Sequence, residues 1–206
     1  MSQSRAFRRS LPRSSRLSAI FAGAVAGVLV LSGCGGETTG ASSGDTRFVQ
    51  GTGQVTEVAK KDRQSVPEIS GETLEGERLS LSDYEGKVVV LNVWGSWCAP
   101  CRAEAPHFAK VAKESKDDGV QFVGINTRDL DKANAQAFER GYGIEYPSLY
   151  DPSGRLILKF PKYSLSPKAI PSTLIIDREG RIAVRALKPL GEEELRSALA
   201  PVVAEK

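Results

Sequence analysis

The sequence predicts an α/β layered domain carried behind an N-terminal extension. Three observations predict it. Apolar runs rich in β-branched residues alternate with helix-like stretches, and a strand–turn–strand pair followed by a helix closes the chain. Beyond the N-terminal segments about 140 residues remain, enough to bury roughly two-thirds of the unfolded surface. The chain has 206 residues, 40% of them hydrophobic, which suits one globular domain plus extras. It contains no internal repeat.

Residues 1–33 read as a signal segment. Five of the 28 basic residues (Arg5, Arg8, Arg9, Arg13 and Arg16) and none of the 25 acidic ones lie there. An apolar run of 15 residues follows, from Leu17 to Leu31. A membrane-spanning helix needs roughly 20, so a basic start and a short apolar run fit a secretory signal better. The run ends in Leu31-Ser32-Gly33-Cys34, which resembles the lipobox of bacterial lipoproteins. That resemblance implies cleavage before Cys34, its lipidation, and an extracytoplasmic protein held at the cell membrane by at least two acyl chains, which anchor stably where one does not. An ordinary signal peptide with an incidental cysteine is the alternative. Arg8-Arg9 resembles part of a twin-arginine signal, but Phe7 before the pair leaves the export route open. Without residues 1–33 the chain keeps 23 basic and 25 acidic residues, a net charge of −2. That balance lacks the basic footprint of a nucleic-acid binder.

Residues 34–65 are rich in Gly, Ser, Thr and charge and read as a flexible linker. The domain is expected over residues 66–206, starting near Val66-Pro67. Leu79–Leu81 reads as a short strand, and Ser82-Asp83-Tyr84 as a turn closed by Gly86. Lys87–Val93 is a continuous β-branched run, so a buried central strand. A helix is expected from Pro100 to about Lys116, with its proline early in the first turn, where no donor is lost. Val120–Ile125 is a second buried strand. Asp131–Arg140 is a helix stopped by Gly141 and Gly143. Tyr146–Ala169 reads as irregular. Ser172–Ile176 and Arg181–Arg185 form a hairpin about Asp177–Gly180, and Glu192–Val203 is a terminal helix.

The chemistry concentrates in Trp97-Cys98-Ala99-Pro100-Cys101. Two cysteines three apart across a helix start lie one turn apart, so their sulfurs can meet. Unpaired N–H groups and the helix dipole favour a thiolate at the first of them. Cys98 is therefore the nucleophile on a disulfide, and Cys101 resolves the mixed disulfide. A lone C-x2-C is also half of a zinc site, but there is no second pair, and the one histidine is His107, read as an ordinary helix residue; no metal is expected. A purely structural bridge across three residues closes almost no loop and restrains the unfolded chain little.

The segment VVVLNVWGSWCAPCRAEAP resembles the thioredoxin superfamily and, within it, the tethered reductases of cytochrome c maturation of the ResA/TlpA/CcmG type. The likeness spans Val66 to Val203. It implies a thioredoxin-like fold, a central mixed β-sheet flanked by helices, with Cys98–Cys101 as a redox-active disulfide and no cofactor beyond it. Asn92 stands where cytoplasmic thioredoxins keep a buried aspartate, a departure that favours the tethered subfamily. The resemblance gives Glu104, three residues after the second cysteine, a functional role; an acid there also suits the helix dipole alone. It places Trp97 beside the disulfide, Trp94 in the core, and Pro171 as a cis-proline facing the dithiol, with Ile170 offering backbone to a substrate strand. A proline merely opening an edge strand is the plainer reading. The stretch Tyr163–Ala169 looks longer than the family's usual link.

The implied activity is dithiol–disulfide exchange on protein substrates outside the cytoplasm. The leading expectation is reduction, with apocytochrome c haem-site cysteines as clients and a membrane thiol-electron donor behind the enzyme. The reverse, an oxidase for exported proteins, stays open, since potentials in this fold span about −270 to −120 mV. A copper or cytochrome assembly chaperone is a third reading, weakened because the initiator is the only methionine. The peroxidatic P-x-x-x-T-x-x-C pattern is absent.

Overall fold

The computed structural model describes residues 55–205. The expected signal segment, Cys34 and the first part of the expected linker lie outside the described residues. In chain order the elements are β1 (Val55–Glu57), β2 (Ser70–Glu72), β3 (Arg78–Ser80), β4 (Val88–Trp94), α1 (Ala99–Glu114), β5 (Val120–Thr127), α2 (Lys132–Tyr142), β6 (Ser148–Asp151), β7 (Ser172–Ile176), β8 (Ile182–Ala186) and α3 (Glu192–Ala204). Six strands form one sheet in the order β1-β8-β7-β4-β5-β6. β4, β5 and β6 run parallel, while β7, β8 and β1 pair antiparallel. This is the expected mixed sheet. β2 and β3 make a separate small hairpin.

The centre of the sheet is β4, whose seven residues are all buried. Side chains alternate across a strand, so Val88 and Val90 join Phe108, Val111, Leu195 and Leu199 on the face covered by α1 and α3. Val89, Leu91 and Val93 join Ile69, Val123, Leu149 and Leu174 on the other face. A strand packed on both faces has no polar side to show, which is why its sequence is apolar but for Asn92.

The structure departs from the sequence reading in several places. Order begins before Val66: β1 pairs with β8, Val55 opposite Ala186, and the Arg63 guanidinium is held by Asp177 at 2.9 Å and by Glu205 at 2.6 Å. A three-residue edge strand has too little pattern to be read locally; its pairing is fixed by β8, far along the chain. β6 lies in the stretch expected to be irregular, because its four residues are defined by parallel pairing to β5. Gly141 does not stop α2, which runs to Tyr142 and is closed by Gly143 in the left-handed region at φ 68°. The strand expected at Leu79–Leu81 lies one residue earlier, because Ser80 caps the turn that follows. Among the described residues no helix is long and apolar enough to cross a membrane.

Candidate active site

The two cysteines sit where β4 ends and α1 begins. Cys98 is the N-cap of α1, and its Sγ accepts the Cys101 N–H at 3.2 Å. Pro100 occupies the first turn, where the missing donor is not needed. Cys98 and Cys101 form a disulfide. Both are buried, at 3% and 1% exposure. Around them pack Trp94, Ala105, Ala135, Phe138 and Leu74. Trp94 lies in the core as expected, stacked on Phe138 at 4.5 Å and donating its indole N–H to Ser148 Oγ at 3.2 Å.

Trp97 is 43% exposed. Its indole N–H donates to the Thr127 carbonyl at 3.3 Å, and the Arg128 guanidinium lies 4.6 Å from the ring centre. It forms the open rim of the site. The opposite rim is the loop before β7. The Ile170–Pro171 peptide is cis, and the Ile170 carbonyl oxygen stands 3.8 Å from Cys98 Sγ. Ile170 is half-buried and keeps part of its surface open. The stretch from Tyr163 to Ala169 leads into this loop. Its Leu165 is buried, Tyr163 is exposed, and the Tyr163 carbonyl accepts from Arg185.

Glu104 lies one helical turn beyond Cys101 on the same face of α1, and it is 2% exposed. Asn92 of β4 donates to Glu104 Oε1 at 2.9 Å, and the backbone N–H of Leu190 donates to Oε2 at 3.0 Å. The same Asn92 amide donates to Thr173 Oγ1 at 3.2 Å, which ties the acid to β7, next to Pro171. Burial pushes the Glu104 carboxyl up to about 7, against the two hydrogen bonds that favour its anion. A carboxyl so poised can take or give a proton near neutral pH. His107 is half-buried on the same helix. Among the described residues no group of three His, Cys, Asp or Glu is placed to hold a metal ion.

The structure thus brings Cys98, Cys101, Trp97, Ile170 and Pro171 together, with Glu104 behind them. Two contributors were not read from the sequence. Asp129 holds Ser96, just before the cysteine motif, through Ser96 N–H at 2.8 Å and Ser96 Oγ at 2.5 Å. The Leu190 N–H that meets Glu104 comes from the approach to α3, a backbone donor without any side-chain signature. The run Asn126-Thr127-Arg128-Asp129 offered only a turn-like composition.

The profile of the AhpC/TSA family matches residues 63–185. Over 111 residues the chain is 36% identical to "Thiol-disulfide oxidoreductase ResA" of Bacillus subtilis (strain 168), a match covering 54% of this chain and 59% of that protein. It therefore spans under two-thirds of that relative's length. It is 33% identical over 145 residues to "Thioredoxin-like protein YneN" of the same organism, covering 69% of this chain and 81% of the other. Among solved structures, a DsbF homologue from Corynebacterium diphtheriae superposes with a TM-score of 0.69 at 35% identity, covering 75% of this chain and 98% of the other. A secreted thiol-disulfide isomerase from Corynebacterium glutamicum gives 0.71 at 33% identity, covering 77% and 98%.

Proposed function

The chain belongs to the AhpC/TSA family, and we propose that it is a thiol–disulfide oxidoreductase working outside the cytoplasm, tethered through a lipidated Cys34, as its N-terminal sequence suggests. It passes electrons from the Cys98–Cys101 dithiol to disulfides in client proteins. The observation that carries the reading is the disulfide itself, formed at the N-cap of α1 and faced by the Ile170 carbonyl at 3.8 Å. Relatives named thiol-disulfide oxidoreductase support the same activity.

In the reducing direction Cys98 is a thiolate, favoured by the N–H groups at the start of α1. It attacks one sulfur of the client disulfide. A Cys98–client bond forms, the client S–S bond breaks, and the second client sulfur leaves as a thiolate. Cys101 then loses its proton to the Glu104 carboxylate and attacks Cys98 Sγ. The internal disulfide forms, the mixed one breaks, and the client's remaining sulfur leaves as a thiolate; the proton held by Glu104 and one from water convert the two client thiolates to a dithiol. Two electrons have moved from the enzyme to the client. A membrane thiol-electron donor restores the enzyme dithiol. The client backbone lies along Ile170 beside the Pro171 turn, as an added strand would. Trp97 forms the other wall. The clients that best fit this tethered reductase are apocytochromes c, whose haem-site cysteine pairs must stay reduced for haem attachment.

Replacing Cys101 by Ala removes the group that releases the mixed disulfide but leaves the attacking sulfur. Non-reducing electrophoresis of cells expressing Cys101→Ala is expected to show adducts, with cytochrome c precursors among the captured proteins. A broad set of exported proteins would instead favour the oxidising direction. No adducts from a folded, exported variant would sink the exchange reading.

A further inference from the structure

The loop that carries Cys98 is held from outside by one buried carboxylate, and the geometry points to Asp129 as a positioning residue for the redox pair. This inference rests on the exchange reading above and deepens it. Asp129 lies between β5 and α2 and is 4% exposed. Its Oδ2 accepts the Ser96 backbone N–H at 2.8 Å and the Asn126 amide at 2.7 Å, and its Oδ1 accepts the Ser96 hydroxyl at 2.5 Å. Its own carbonyl accepts the Tyr150 hydroxyl at 2.9 Å, which fixes Asp129 to β6. The Ser96 carbonyl, in turn, accepts two bonds from Arg102 of α1, at 3.0 and 2.7 Å. Ser96 is therefore gripped on both sides, by the carboxylate and by a guanidinium.

The residues around Ser96 leave the loop no slack. Cys98 N–H donates to the Gly95 carbonyl at 3.1 Å and closes the turn. A Cβ at Gly95 would come within 2.5 Å of the Trp97 indole nitrogen and 3.1 Å of the Thr127 carbonyl. The indole is itself bonded to that carbonyl. The end of β5 and the loop after it, Thr127 to Asp129, thus act as a jig for Gly95–Cys98. Three hydrogen bonds converge on this one side chain and fix its orientation, and nothing in the exchange chemistry itself uses it.

The consequence differs between the two redox states. In the oxidised enzyme the S–S bond holds Cys98 against Cys101. In the dithiol that covalent tie is gone, and the bond from Cys101 N–H to Cys98 Sγ depends on where the loop puts Cys98. Asp129 therefore stabilises the dithiol more than the disulfide, and it keeps the thiolate over the start of α1.

The test compares the full-length protein with Asp129→Ala and Asp129→Asn in two readouts. One is the equilibrium with dithiothreitol. The other is the pH profile of Cys98 alkylation in the reduced protein. Asp129→Ala is expected to shift the equilibrium about tenfold toward the disulfide, or roughly 30 mV, and to move the alkylation profile to higher pH. Asp129→Asn keeps one acceptor for the two N–H donors, while its amide can donate to a turned Ser96 hydroxyl. It is expected to recover the wild-type values within about threefold. Ser96→Ala removes only the hydroxyl bond and is the milder probe if Asp129→Ala does not fold; a shift of about threefold in the same direction is expected. A normal equilibrium and alkylation profile in Asp129→Ala, even with a lowered melting temperature, would overturn the inference. So would an Asp129→Asn variant as impaired as Asp129→Ala. Failure of the wild-type protein to exchange with dithiothreitol at all would instead overturn the exchange reading.

Discussion

Glu104 shows how much a single residue's meaning depends on what surrounds it. As a letter in the sequence it is an acid in the early turns of a helix, which the dipole alone would favour. In the structure it is buried, bonded to Asn92 and to the Leu190 N–H, and raised to about 7. The sign of the pH dependence follows. A carboxyl whose folded value lies above its unfolded one contributes most to stability below about pH 4.5, and it loses that contribution as pH rises toward 7. The loss is on the order of 3 kcal/mol. Glu139, also raised to about 7 by burial, acts in the same direction. Urea titrations of Glu104→Gln between pH 4.5 and 8 should show roughly half the wild-type decline. The rate at which Cys101 resolves a mixed disulfide should also lose its pH dependence near neutrality. A decline as steep as that of wild type would contradict the raised value. The cysteine pair was legible because its spacing is local. Asn92 was legible only as a departure from a family pattern, and its bonds to Glu104 and Thr173 join residues 12 and 81 positions away, beyond the reach of any local pattern.

Elements were readable in proportion to their length and burial. β4, β5 and β7 stood out because strands buried on both faces carry runs of β-branched and other apolar residues. β1 and β6 did not, since a short strand takes its identity from its partner. Gly124 of β5 shows how tightly these strands pack behind the site. A Cβ there would lie 2.1 Å from Ser148 Oγ and 2.7 Å from the Trp94 indole nitrogen. The first neighbour belongs to β6 and the second packs against the cysteines. Overpacking of this kind typically costs about 1–3 kcal/mol. Gly124→Ala should therefore lower the unfolding free energy by that amount, read as a lower urea midpoint, and redshift the emission of Trp94. An unchanged midpoint would mean that β6 yields without cost.

At the scale of the whole molecule, the alternation of strands and helices and the closing hairpin foretold the mixed sheet, but not where the domain begins. The ordered chain before Val66 returns to the sheet and buries Arg63 against Asp177 and Glu205, from the β7–β8 turn and the end of α3. Removing a guanidinium from a pair this enclosed leaves Asp177 without one of its cations. Arg63→Ala should destabilise the domain by about 2–4 kcal/mol, read by urea denaturation, while thiol exchange with dithiothreitol stays normal. Loss of exchange at unchanged stability would contradict this separation.

That arrangement also sets how the domain bears load. A pull applied to the chain ahead of Val55 is met first by the three residues of β1, the edge strand, which peel from β8. Next comes the single bond from the Val58 N–H to the Ala183 carbonyl. Behind it the Arg63 cluster acts as a stop, fastened to both the hairpin turn and the last helix. The first links to give way lie at the rim, and β4, α1 and β7, which hold the disulfide, are not in the line of force. A pull on the N-terminal side therefore loads the edge strand before it reaches the elements that hold the disulfide.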